Sequence, residues 1–363
     1  MQNKADKEPT TPSVTKWIVI SAIIGYLVLL FFLFTFVDMG NLISVLRSIN
    51  LSVYALALLC VIISISFHSM VWYQLLSSLS MKLGFRRTYV LYWVGIFVDS
   101  LVPGGWSGDL FKAYLLSRDP ELDTGKAVAS VVAKNFYEAM FNLGSMIIGV
   151  LFLIVNYNVA DSSIFLYIGV IMVLLTVPIL LLILMSFKPA EAKNILGALL
   201  RRLNLSRFQA KMEKMVDDYH EGMKGLLQNP RMFLKPLMFS FLAWSFEVLT
   251  LLLVFASLGE IVPVGEVMIV RSIAGNLEAQ GFAFVGYAQI VTTALYTALG
   301  IPIALSASVA LLGGLVVFWL KTGISYVAFH CTVFAPCHNY VCRAIGVEGY
   351  PKKKNCETEG KPS

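Results

Sequence analysis

The sequence predicts an all-α polytopic membrane protein, with about six full spans and two re-entrant helical hairpins in an inverted repeat. Three observations carry that reading. The 363 residues are 58% hydrophobic and only 14% charged, with a mean hydropathy of +0.76, far from a water-soluble composition. Several apolar runs reach the roughly 20 residues a helix needs to cross the hydrocarbon core. Basic residues gather in alternate connections, the mark of cytoplasmic loops. The net charge of +6 is therefore an orientation signal, and no nucleic-acid partner is expected.

A tail over 1–16 carries Lys4, Lys7 and Lys16. The apolar run from Trp17 to Val37 is too long for a signal-peptide core and has no small-residue cleavage site, so it reads as a retained first span. Further spans are expected over 51–77, 125–155, 162–187, 232–257 and 302–330, all within one transmembrane domain over 17–335. A tail over 336–363 closes the chain. Lys82, Arg86 and Arg87 follow the second span, ten basic residues lie between the fourth and fifth, and Arg343 and Lys352 to Lys354 lie in the tail. The opposite connections hold only Arg47. Both termini and the 188–231 loop are thus expected in the cytoplasm, in a multi-pass protein of the cell membrane.

This orientation forces segments 88–123 and 264–299 to return to the side they came from. Each half is too short and polar for a comfortable crossing, so each segment reads as a hairpin. Pro103-Gly104-Gly105 stands near the tip of the first and Gln280-Gly281 near the tip of the second. Span, hairpin and span then occur twice with opposite orientation, over 51–155 and 232–330. Many transporters build a midplane site that way.

Charges beside the breaks are the candidate substrate-binding residues, since ionisable groups at membrane depth are costly and usually functional. Asp109 and Lys112 stand one helical turn apart and can neutralise each other. A phosphate could then take Lys112 from Asp109. Lys134 and Glu138 form an i,i+4 pair, and Arg271 with Glu278 suggests a matching set in the second hairpin. Gly104, Gly105 and Gly108 permit close backbone approach, and helix N-termini at a hairpin tip favour anions. Asp99, Glu247 and Lys321 complete the set. Plainer roles stay open: snorkelling at the interface for Asp109, Lys112 and Lys321, helix pairing for Lys134 and Glu138, a cap of the broken helix for Asp99. Glu247 stands alone in its span, and Glu266 is expected at the outer interface.

Loop 188–231 spaces Phe208, Met212, Met215, Tyr219, Met223 and Leu226 by three and four residues. That describes an amphipathic helix, lying on the inner leaflet or packed as a cover on the bundle. Cys331, Cys337, His338 and Cys342 lack a Cys-x-x-Cys knuckle, so no metal is expected. No Walker-type loop or His-Glu-x-x-His appears, and no cofactor is expected.

The first hairpin reads Pro-Gly-Gly-x-x-Gly-Asp-x-x-Lys, with Leu115 and Leu116 following, and a small-residue helix comes after it with Lys134 and Glu138. In this the chain resembles the lysylphosphatidylglycerol synthase transmembrane region, also called the flippase-like or UPF0104 family, from about residue 15 to 335. The second half departs from that pattern: Ala279-Gln280-Gly281-Phe282 lacks the proline, and Gln289 stands where a glutamate is expected. The resemblance implies lipid handling: movement of an anionic, aminoacylated or polyprenyl-linked lipid between leaflets, beside lipid- or glycan-synthesis enzymes. Outside the spans only the 188–231 loop and the tails remain, too little for an acyltransferase fold, so a transporter is expected and the synthase activity is not. An intramembrane enzyme using Asp109 and Glu138 on a phospholipid or polyprenyl-phosphate head, and a non-catalytic subunit of a synthesis complex, stay as alternatives.

Overall fold

The computed structural model describes residues 12–102, 107–118, 124–156, 183–202, 209–227, 230–277 and 286–334, with isolated positions over 177–181. Among these residues there are helices and no strands. Among the described residues, three helices are long and apolar enough to cross a membrane alone: Leu51–Ser78, Phe233–Ser257 and Ile303–Thr332. A bent pair, Ile23–Phe36 with Met39–Arg47 at 103°, makes a fourth candidate. Six spans were expected. The 125–155 run is indeed one helix, while most of 162–187 lies outside the described residues.

The first helix, α1 (Pro12–Phe36), ends where Asp38 caps α2 (Met39–Arg47), its carboxylate accepting from the Gly40 and Asn41 N–H groups at 2.8 and 3.3 Å. Asn50 does the same for α3 (Leu51–Ser78), satisfying N–H groups that a helix start leaves without partners. The Asn50 N–H donates to the Ser257 carbonyl at 2.7 Å, and the Ser64 hydroxyl donates to the Ala243 carbonyl. These two bonds fasten α3 antiparallel to α9 (Pro230–Ser257).

Segment 88–123 becomes α4 (Phe85–Leu101) and α5 (Ser107–Ser117), packed on each other. The 33-residue α6 (Thr124–Asn156) follows, at 1.5 Å per residue about 50 Å long. Segment 264–299 becomes α10 (Val264–Leu277) and α11 (Tyr287–Ala298), also in mutual contact. The last long helix, α12 (Ile303–Thr332), widens to a π-helical stretch over Leu311–Val316. The Tyr54 hydroxyl donates to the Leu312 carbonyl at 3.0 Å, filling an acceptor in this stretch. Both hairpin tips, with Pro103, Gly104, Gly105, Glu278, Gln280 and Gly281, lie outside the described residues.

Among the described residues, α3 contributes to the two largest apolar cores. One joins Val61, Trp72, Leu91, Leu116 and Val131 from α3 to α6. The other joins Ala57 to Phe255, Val267, Tyr296 and Val309 from α9 to α12. The outer surface inverts the usual pattern: on α5, Leu110 is 63% exposed while Asp109 is 5% and Lys112 3% exposed. A helix that turns leucine outward and charge inward is built for a lipid surround.

Between α6 and α9 stand α7 (Pro189–Arg202) and α8 (Gln209–Leu227), with Lys193 paired to Asp217 across them. Of the two placements open for this segment, α8 takes the cover. Val216 and Tyr219 are buried, and Tyr219 packs beside Val71, Ala133 and Tyr137. The Tyr219 and Ser186 hydroxyls are 3.0 Å apart, and the His220 ring meets the Ser186 carbonyl at 2.8 Å.

Candidate functional site

The α4–α5 break sets up the site. Asp99, in the last turn of α4, accepts from the Ser107 hydroxyl at 2.9 Å and the Gly108 N–H at 2.6 Å. It therefore caps α5 from across the break, one of the roles the sequence left open for it. Gly108 is needed there, because a Cβ would collide with the Gly95 carbonyl and the Asp99 carboxylate. Gly95 in turn leaves room for the Lys112 stem: a Cβ would stand 2.7 and 2.9 Å from its Cδ and Cε. Lys112 is thereby laid flat across α4.

From that lysine a chain of alternating charges crosses five helices. Lys112 Nζ meets Asp109 Oδ1 at 2.5 Å, above the faces of Tyr92 and Trp72 at 4.3 and 5.2 Å. Asp109 also accepts from Asn135 Nδ2 at 2.6 Å, with Lys134 Nζ 3.8 Å away. Lys134 pairs with Glu138 at 3.0 Å and donates to Asn135 Oδ1. Glu138 reaches His68 Nδ1 at 2.9 Å, His68 Nε2 reaches Glu247 at 3.0 Å, and Glu247 reaches Arg271 at 2.9 Å. Lys321 on α12 acts on Glu247 through space.

The network has a closed end and an open end. Lys112 and Lys134 side chains are 3% and 7% exposed, whereas Glu138 and Arg271 keep 26% and 21%. Three cations, Lys112, Lys134 and Arg271, alternate with three carboxylates, Asp109, Glu138 and Glu247. With His68 neutral these charges cancel, which is how buried ions are tolerated. Because Lys134 touches Glu138, Asn135 and Asp109, and Asp109 is held by Asn135 as well as Lys112, one link can open while another holds. An incoming anion can compete for Lys112 or Lys134 on those terms.

Several expectations meet this geometry directly. The Asp109–Lys112 and Lys134–Glu138 pairs form at their expected spacings, and neither lysine is at a snorkelling position on the surface. Arg271 is paired with Glu247 rather than Glu278, which lies outside the described residues. Glu247 is not alone: the close α3–α9 packing gives it His68, and α10 gives it Arg271. Glu266, expected at an interface, is 3% exposed and shares with Arg271 the neighbourhood of buried Tyr296. Gln289 accepts from the Gly286 N–H at 2.9 Å, capping α11. Sequence reasoning missed His68, Trp72, Tyr92 and Asn135. His68 carried a signal, being ionisable at the middle of an apolar span. The aromatic pair carried none, since Trp and Tyr are common in such helices.

Residues 17–325 match the family described as the lysylphosphatidylglycerol synthase TM region. A UPF0104 membrane protein of Pyrococcus horikoshii is 23% identical over 281 residues, covering 74% of this chain and 83% of that protein. Another, from Methanocaldococcus jannaschii, is 24% identical over 305 residues, covering 81% and 88%. No solved structure is significantly similar. An all-helical membrane protein matched over nearly its whole helical length, this chain belongs to the lysylphosphatidylglycerol synthase transmembrane-region family.

Proposed function

We propose that this protein is a lipid flippase or scramblase that moves an anionic, aminoacylated or polyprenyl-linked lipid between the leaflets of the cell membrane. The observation that carries this reading is the buried charge chain from Lys112 to Arg271, set behind an apolar outer face. A headgroup phosphate takes Lys112 and Lys134 as partners, leaving Asp109 on Asn135. The acyl or prenyl tails stay outside, against faces such as Leu110 and Tyr114 of α5. The family description, naming part of a synthase of a basic phospholipid, supports a lipid as cargo. Enzymes of lipid or glycan synthesis are the partners that would supply or consume it.

In this reading 88–123 and 264–299 are re-entrant hairpins entering from opposite sides, within inverted repeats over 51–155 and 232–330. Both termini and the α7–α8 cover face the cytoplasm, as the loop charges favour. On the same reading the hairpin tips stand at the midplane, with Gly105 reached from the cytoplasm and Gly281 from outside. Single cysteines at those positions, labelled with impermeant thiol reagents, test the arrangement; labelling of residue 105 from outside alone rejects it.

Transport is tested in proteoliposomes holding a head-labelled phosphatidylglycerol, with a membrane-impermeant quencher added outside. Inner-leaflet label becoming accessible is the expected result. Asp109→Asn and Lys112→Ala should each slow the exchange about tenfold or more, the effect of about 1.4 kcal/mol on a barrier. Label that stays protected with every lipid and ion gradient tried rejects the transporter. New lipid products in the same vesicles, found by mass spectrometry, would establish an intramembrane enzyme instead.

A further inference from the structure

His68 stands where the two halves of the charge chain meet, with a carboxylate against each ring nitrogen. Its Nε2–Glu247 contact has hydrogen-bond geometry at 3.0 Å. Its Nδ1–Glu138 contact, at 2.9 Å, is an ion-pair distance off the hydrogen-bond line. A neutral imidazole carries one N–H and can serve one of these carboxylates; the imidazolium serves both. The proton count at this ring is therefore the variable that decides whether the chain is continuous.

We propose that His68 is a proton-binding site through which the protein couples binding of an anionic headgroup to uptake of one proton. This rests on the anionic-lipid reading above. With His68 neutral, Lys112, Lys134 and Arg271 cancel Asp109, Glu138 and Glu247, Lys321 at one end offsets Asp99 at the other, and a bound monoanion leaves the network at minus one. A proton taken from water by the bare ring nitrogen restores neutrality. The same result follows locally: a headgroup that draws Lys134 away leaves Glu138 with His68 as its remaining partner, and a charged ring replaces the lost ammonium.

The surroundings of the ring support that direction. Glu138 and Lys134 face it from α6, and Glu247 from α9 with Arg271 of α10 behind it. Tyr92 of α4 stacks on it, with ring centroids 6.4 Å apart and planes 4° from parallel. Asp109 and Lys112 of α5 lie beyond Lys134, and Lys321 of α12 lies near Glu247. Its two direct ionic neighbours are both carboxylates, and every cation is at least one link further on. The ring is 13% exposed and its Nδ1 is buried, so the proton reaches it by way of Glu138, whose side chain is 26% exposed. Reciprocity then requires that protonation tighten anion binding by the factor with which the anion favours protonation.

The test uses the full chain in detergent, with histidine labelled at its ring nitrogens and His220, His330 and His338 each changed to Gln. Dioctanoyl phosphatidylglycerol is the probe, because its phosphodiester stays charged throughout the histidine window. Addition of the lipid should shift the ring's half-protonation point upward. Lipid binding should tighten as pH falls, by up to about tenfold per unit. His68→Gln should bind the lipid with no pH dependence. Wild-type binding that ignores pH, or a ring whose titration ignores the lipid, overturns the coupling and leaves the lipid reading standing. Absence of binding at every pH overturns both. If His68→Gln does not fold, the wild-type ring titration decides alone.

Discussion

Removing the Asp109 carboxylate should destabilise the protein more than removing it together with Lys112. At an effective dielectric of about 20, unit charges 2.5 Å apart attract with about 7 kcal/mol, and at 3.8 Å with about 4 kcal/mol. Those are the separations of Asp109 from Lys112 and Lys134. Desolvation offsets most of that attraction, so losing one partner of a buried pair costs about 3–5 kcal/mol, chiefly through the charge left behind. Asp109→Ala leaves three cations of the chain against two carboxylates, with Lys112 3% exposed on the rings of Tyr92 and Trp72 and Asp99 acting on it only through space. Cation–π contact returns only about 1–2 kcal/mol. Lys112→Met leaves two against three. The double variant leaves two against two, with Lys134 still on Glu138 at 3.0 Å, and should cost less than either single change. Unfolding by rising dodecyl sulfate mole fraction, followed by tryptophan fluorescence, measures all four proteins. Single variants costing under about 1 kcal/mol, or a double equal to the sum of the singles, would refute the reasoning.

Gly108→Ala should cost about 1–3 kcal/mol by overpacking and exceed Gly95→Ala in the same unfolding assay. The added methyl at 108 meets backbone and a capping carboxylate, whereas at 95 it meets the movable stem of Lys112. Trp72→Phe strips the Ser130 hydroxyl of its 3.0 Å indole donor in a buried site, a loss of about 1–3 kcal/mol, measured by thermal inactivation. Alkaline pH should loosen the cover helix α8. Burial pushes the Tyr219 hydroxyl up to about 12 from 10.0, so the folded state holds its proton where the unfolded chain releases it. Stability from this group is therefore intact below about pH 10 and falls toward about pH 12, seen as faster hydrogen exchange over 209–227. Tyr219→Phe should remove that part of the pH dependence.

Short-range chemistry was readable from the chain alone. Asp109 with Lys112 and Lys134 with Glu138 are helical neighbours, so sequence spacing fixes their meeting. The links between helices were not readable in that way. Arg271 had a nearer candidate in Glu278, and nothing in the spacing says that α10 turns it toward Glu247. His68 was passed over because one histidine among serines and aliphatics has no periodic signature. Its importance comes from α3 lying against both α6 and α9. Span counting met a different limit: hydropathy marks α3, α9 and α12 plainly, but it does not reveal the 103° turn after Phe36, which the Asp38 cap stabilises.

The π-helical stretch over Leu311–Val316 has a consequence for Lys321. Such a stretch is an α-helix carrying one surplus residue, and each residue turns the chain by about 100°. Everything after it in α12 is thus rotated relative to an uninterrupted helix. Deleting one of Leu311 to Val316 would let ordinary winding resume and swing Lys321 by about a quarter turn away from Glu247. Trp319, 56% exposed, would turn with it. The Tyr54 hydroxyl, now bound to the Leu312 carbonyl, would lose an acceptor that ordinary winding reclaims. The azimuth of Lys321 is therefore set about one to three helical turns earlier in α12, in a stretch that carries no charge, by a single inserted residue.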